Sequence, residues 1–408
     1  MTLLPLLLLP PAPAARALAP PPAPLDCGEQ PNWMFVDKPG DWTQAPPLPW
    51  GRGLLEQPVS ASLALFFTGN NSGPNSAALN ARLARFGHVG IGWQLTGSAP
   101  NSHLGHLEVV ERAVAAQLKA LNPRVKVLAL RNDQVVSPLW DCARARMLDP
   151  ASAHFFLRNA SGAPLSGGLW AGSKTQPLLS GPVVQFWLNF SVGAARDWWA
   201  DVFVGGALAE ANIDGAFFDC ACNSVLPDAQ RVRHNAAARP AVEKVLADAS
   251  RRGKLLTAYK PNGPTAACDK PQVSKQLCAE PMRYFIELGR NTSNSSTMIM
   301  LHGFGGRFSE GQQLNESVAA FLIARGADGN SLLRLSSCVG CPYNWPTPAW
   351  SSLFELTPGK PLADGAEVAA GVFRREYARM TVQLDCNSFT ASFEPKEVGD
   401  GSAEMQRS

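Results

Sequence analysis

The chain has 408 residues, of which 46% are hydrophobic and 17% charged, with a formal net charge of +3. That is apolar material for two small domains or one large α/β barrel, and the absence of any Lys/Arg block argues against nucleic acid or an anionic membrane surface as partner. Its 34 Pro and 35 Gly punctuate long loops, while 11 Trp and 19 Phe argue for packed structure rather than disorder.

Residues 1–19 read as a secretory signal. Leu3–Leu9 is apolar apart from Pro5, and Ala17-Leu18-Ala19 supplies small residues for cleavage, although no Lys or Arg precedes the run. The run is too short to span a bilayer, and no later stretch is long enough. Nine cysteines and six Asn-x-Ser/Thr sequons, at Asn70, Asn159, Asn189, Asn291, Asn294 and Asn315, agree with export, so a secreted or lumenal protein is expected. Residues 20–58 form a Pro- and Trp-rich leader.

From Ser62 onward, strand and helix patterns alternate. Ser62–Thr68, His88–Trp93 and Val125–Leu130 are expected as the first three strands. Between the last two, Leu107, Val110, Val114, Leu118 and Leu121 recur every three or four residues, an amphipathic helix that Asn122-Pro123 stops. Residues 134–182 form a long excursion with little periodicity. Gln185–Phe190 is extended, and Trp198, Trp199, Val202 and Phe203 mark a helix. The fourth strand runs from Ile213 to Asp219, the fifth is Lys254–Tyr259, the sixth Arg283–Leu288, the seventh Thr297–Leu301 and the eighth Leu332–Leu335. Eight βα units over residues 59–345 predict a (β/α)8 TIM-type barrel. No G-x-G-x-x-G follows the first strand, which speaks against an open dinucleotide-binding sheet. Period-two character at Val382-Gln383-Leu384-Asp385 predicts a small C-terminal β extension over 346–394, followed by a tail at 395–408.

The fourth strand reads Asp214-Gly215-Ala216-Phe217-Phe218-Asp219, an apolar run bracketed by carboxylates. Five residues apart on a period-two strand, the two aspartates lie on opposite faces. Active sites of parallel barrels sit at the strand C-termini, so Asp219 is the catalytic candidate, and Asp214 is assigned to substrate binding. Reading off the other strand ends gives Trp93, Arg131 with Asp133, Lys260, Glu287 and His302, a set suited to a carbohydrate pocket. Glycoside cleavage needs a nucleophile or base and a protonated acid. Glu287 lies in the apolar run Tyr-Phe-Ile-Glu-Leu, where burial raises a carboxyl pKa towards that of a general acid. Asp133 is the reserve carboxylate. No cofactor or metal is required. Cys268 and Cys278 offer one loop bridge, and Cys142, Cys220 and Cys222 could pin the excursion beside Asp219, but connectivity is not readable from spacing alone.

In order along the chain, these motifs resemble a known family. Asp214-Gly215-x3-Asp219 resembles the D-G-hydrophobic-hydrophobic-D strand of (β/α)8 glycoside hydrolases, and Phe186–Phe190 with Ala195-Arg196-Asp197-Trp198-Trp199 resembles the element upstream of it. Phe373–Asp385 is similar to their closing strand. The family is hypothetical glycosyl hydrolase family 15, with the endo-α-1,4-polygalactosaminidases as more distant relatives, and the similarity covers roughly residues 60–393. It implies Asp219 as nucleophile or base and Glu287 as acid, acting on a polysaccharide or oligosaccharide. Asn189 departs from the pattern, standing where relatives often show an acid. Two other readings compete. One is a non-catalytic carbohydrate-binding barrel, and the other is a metal-dependent deacetylase, against which the six scattered histidines speak.

Overall fold

The computed structural model describes residues 52–65, 74–92, 95, 107–132, 134–167, 175–176, 181–182, 185–219, 228–258, 278–291, 297–302, 314–329, 331–334 and 350–396. The expected signal, most of the leader and the tail lie outside the described residues.

The first strands are β1 (Leu63–Leu65), β2 (His88–Ile91) and β3 (Lys126–Asn132), then the short β4 (Val135–Val136), β5 (Ser166–Gly167), β6 (Thr175–Gln176), β7 (Gly181–Pro182) and β8 (Gln185–Trp187). They are followed by β9 (Gly215–Asp219), β10 (Leu255–Ala258), β11 (Thr297–His302) and β12 (Ser331–Arg334). The parallel strands close a barrel in the order β1-β12-β11-β10-β9-β3-β2. Strands β1 and β2 are buried throughout, and β3 is buried from its second residue on. Barrel contents cover one face and helices the other, which is why these segments read as continuous apolar runs rather than alternating ones. Gly215 is required by close approach, since a Cβ there would sit 2.0 Å from the Leu255 carbonyl oxygen of the neighbouring strand.

The helices are α1 (Ala77–Leu83), α2 (Leu107–Leu121), α3 (Asp141–Leu148), α4 (Gly193–Trp198), α5 (Gly205–Leu208), α6 (Asp228–Arg252), α7 (Ala279–Asn291) and α8 (Leu314–Ala324). On α2 the stripe Leu107, Val110, Val114 and Leu118 is buried, each side chain contributing on the order of 1.5–3 kcal/mol. A π-helical stretch, Trp199–Val204, joins α4 to α5.

Among the described residues the ring has seven strands, not eight. Arg283–Leu288, expected as the sixth, belongs to α7. Met282, Phe285, Ile286 and Gly289 are buried while Arg283, Glu287 and Arg290 are exposed, a spacing of three and four. A Cβ on Gly289 would meet the Ala324 carbonyl oxygen at 2.0 Å, so α7 and the end of α8 touch backbone to backbone. Where it is described, the 134–182 excursion is folded rather than a bare loop. It holds α3 and a 3₁₀ turn at Pro150–Phe155, and β4 and β5 both pair antiparallel with β8.

A four-stranded antiparallel sheet follows the barrel: β13 (Ala366–Ala369), β14 (Val372–Glu376), β15 (Met380–Asp385) and β16 (Thr390–Pro395). Phe373, Val382 and Leu384 belong to the same buried core as α8. Arg375, almost fully buried, donates to the carbonyls of Leu322, Ile323 and Arg325 at the C-terminus of α8, and Tyr377 Oη donates to Leu322 O. The guanidinium thus satisfies carbonyls that a helix end leaves without partners. Cys278, at the start of α7, is disulfide-bonded to Cys386, just past β15. The Cys268–Cys278 option is thereby excluded; Cys268, Cys220 and Cys222 lie outside the described residues. Among the described residues no helix is long and apolar enough to cross a membrane.

Candidate functional site

Strand parity decides what faces the barrel interior, and Arg131 fixes the phase. Its guanidinium lies outside the ring against Glu111 of α2, with Nη1–Oε1 and Nη2–Oε2 both 3.0 Å. Nε donates to Phe203 O at 2.8 Å, and Trp140 Nε1–H donates to Glu111 Oε1 at 3.4 Å. Burial works against the Arg131 charge, but the Glu111 carboxylate outweighs it and holds the guanidinium above its ordinary pKa. Arg131 is therefore a buried tie between β3 and α2, not a sugar-binding group. Alternation along β3 then turns Asn132, Leu130 and Leu128 inward.

Register carries that phase around the ring. Asn132 pairs with Asp219 and Leu130 with Phe217. Phe217 pairs with Thr257, and Thr257 with Met298. Two and four residues on from Met298 stand Met300 and His302, which pair with Leu332 and Arg334. Positions 132, 219, 302 and 334 therefore share the inner face at the C-terminal rim of the barrel. Asp219 and His302 were legible as strand ends. Asn132 and Arg334 were missed, because strand ends were read without fixing the phase.

Asn132 is 4% exposed, and among the described residues its Oδ1 has no hydrogen-bond partner. Its main-chain carbonyl accepts from Trp199 Nε1 at 3.3 Å. Trp199, the first residue of the π-helical stretch, packs edge-on to Phe190 at 5.7 Å and against Phe218 at 6.0 Å. Phe190 also meets the buried His234 ring, whose Nε2 lies 2.8 Å from Leu188 O. With Nε2–H donating there, Nδ1 is left as an acceptor, and burial pushes the imidazole pKa down.

The other expected site residues are scattered. Asp214 lies at the opposite, N-terminal end of the barrel, 2.6 Å from Lys119 Nζ and 3.4 Å from Lys126 Nζ, and it accepts from the Val127 amide at 2.9 Å. It ties the base of β9 to β3 and α2, so the substrate-binding role is corrected. Glu287 is on the exposed face of the helix α7, outside the ring, not on a barrel strand, which corrects its reading as the catalytic acid. Trp93, Asp133 and Lys260 lie outside the described residues. Cys142, with no disulfide, borders a cavity of about 190 Å³ with Glu108, Arg112 and Phe203 on the outer flank, and burial pushes its thiol pKa up.

No family model and no curated protein matches the chain. Solved structures do. An α-amylase from Lactobacillus plantarum is 12% identical, with 80% of this chain and 88% of that one covered and a TM-score of 0.44. A GH31 dextranase from Flavobacterium johnsoniae, in complex with glucose, is 11% identical at TM-score 0.44, covering 84% of this chain and 52% of that one. A debranching enzyme from Nostoc punctiforme is 10% identical at TM-score 0.44, covering 81% and 91%. These similar structures are glycoside hydrolases.

Proposed function

We propose that the chain is an exported hydrolase of glycosidic bonds, acting on a polysaccharide or oligosaccharide with Asp219 as nucleophile or base. The observation that carries this reading is the inner-rim position of Asp219 in register with Asn132, at the end of a parallel barrel where such folds do chemistry. The motif Asp214-Gly215-x3-Asp219 supports the assignment to hypothetical glycosyl hydrolase family 15, and the Cys278–Cys386 bridge supports export. With Glu287 displaced, the acid falls to the reserve carboxylate. Asp133, directly after β3 in sequence, takes that role. His302 binds sugar hydroxyls or supports the carboxylates, and Lys260 and Trp93 are assigned to the same substrate-binding role from the sequence alone.

A second reading, a carbohydrate-binding barrel without turnover, is favoured by one observation: Glu287, the expected second carboxylate, is on an outer helix. The two separate in one experiment. The purified protein is incubated with a panel of neutral and acidic polysaccharides and aryl glycosides, with product release and binding followed together. Release of reducing ends supports the hydrolase, saturable binding without release supports the binding barrel, and neither result overturns both.

A further inference from the structure

The Asn132 amide is unusual for its place. Inner positions 128 and 130 of β3 are leucines, and a leucine at 132 would fill similar space without burying an acceptor. Instead, Oδ1 is buried with no partner among the described residues, an arrangement folded proteins avoid unless something else supplies the donor. The backbone there does not depend on the amide, because the Trp199 bond is made to the main-chain carbonyl. Adjacent strands lie only about 4.8 Å apart, so the register pairing puts position 132 within one sugar ring of position 219.

We infer that Asn132 Oδ1 accepts a hydrogen bond from a free hydroxyl of the sugar unit held beside Asp219. Asn132 is then a specificity-determining binding residue, and the site takes a saccharide whose hydroxyl at that position is unsubstituted rather than esterified or sulfated. This rests on the saccharide reading above, though not on turnover.

The test compares the wild type with Asn132→Leu and Asn132→Ser, using melting temperature, KM and kcat on the best aryl glycoside of the panel, and a series of its monodeoxy analogues. Asn132→Leu is expected to melt no lower than the wild type, because an orphan acceptor is removed, while KM rises roughly 10-fold. Asn132→Ser, which keeps a hydroxyl acceptor, recovers part of that loss. One monodeoxy analogue is penalised in the wild type and not in Asn132→Leu, the signature of a direct pairing. A lower melting temperature with unchanged KM makes Asn132 structural and overturns the inference, as does full retention of deoxy discrimination in Asn132→Leu. If the wild type binds oligosaccharides without hydrolysing them, only the catalytic reading fails, and the same comparison is read from Kd. If it neither binds nor hydrolyses any saccharide, both fall.

Discussion

The two ends of the barrel treat polar residues differently. At the base, Asp214 engages Lys119, Lys126 and the Val127 amide, and Lys254 Nζ donates to the carbonyls of Glu210 and Ile213. Each of these groups is paired within the base. At the rim, positions 132, 219, 302 and 334 fall in the same strand phase by register, and the buried Asn132 oxygen has no partner among the described residues. The difference teaches where stability and function divide. Polar groups at the base stitch strands to helices, while the buried rim acceptor of Asn132 has no such tie among the described residues.

The largest effect that sharpens this contrast is expected at Asp219. Asp219→Asn should lower kcat at least about 100-fold, the smaller end of what a positioned acid or base contributes. Its melting temperature should stay close to that of the wild type. A variant that unfolds but, once refolded, still turns over would break the division. The next largest is on the flank. Glu111→Ala strands a buried guanidinium at Arg131 and should cost about 3–5 kcal/mol in urea unfolding. Replacing both, as Glu111→Leu with Arg131→Met, should recover most of that loss, because no charge is then left buried alone.

How far this arrangement was legible depended on phase rather than on pattern. The apolar runs around 63–65, 88–91, 215–219, 255–258 and 331–334 were found because a strand covered on both faces has no other appearance. The run Tyr284–Leu288 looks the same over five residues, and only the wider spacing Met282, Phe285, Ile286, Gly289 reveals a helix. Arg131 was misread because a one-residue shift in phase exchanges the two faces of a strand. A correcting signal was present on α2, where Glu111 falls in the stripe between Val110 and Val114. A carboxylate in a buried stripe calls for a cation, and Arg131 is that cation. Disulfide pairing was beyond reach, since the Cys278–Cys386 partners are 108 residues apart and brought together only by the docking of the C-terminal sheet.

A smaller effect is expected from His88, an inward-facing residue near the base. Burial, with the Lys126 charge beside it and Lys119 nearby, pushes its imidazole pKa down to about 3 against the opposing pull of Asp214. The folded protein therefore holds His88 neutral where the unfolded chain, with a pKa of 6.5, takes up a proton. The depressed value means that stability is fully present above pH 6.5 and is lost as pH falls towards 3, with a limiting slope of about 1.4 kcal/mol per pH unit. Between pH 7 and pH 5 the loss is about 2 kcal/mol, read from urea midpoints. His88→Gln should flatten that part of the profile, and an unchanged slope in the variant would assign the pH dependence elsewhere.

The smallest effect is at Asp214, the partner in sequence of the rim aspartate. Asp214→Asn keeps an oxygen for the Val127 amide and removes the charge that faces Lys119 and Lys126. Both lysines are partly exposed, so the ion pairs are screened and the expected loss is about 1 kcal/mol. That loss should shrink further in high salt. Saccharide binding and turnover should not change, because the residue sits a full strand length from the rim. If Asp214→Asn instead weakened binding while its unfolding midpoint held, the polar groups at the base would not be purely structural, and the division between the two ends would have to be redrawn around both aspartates.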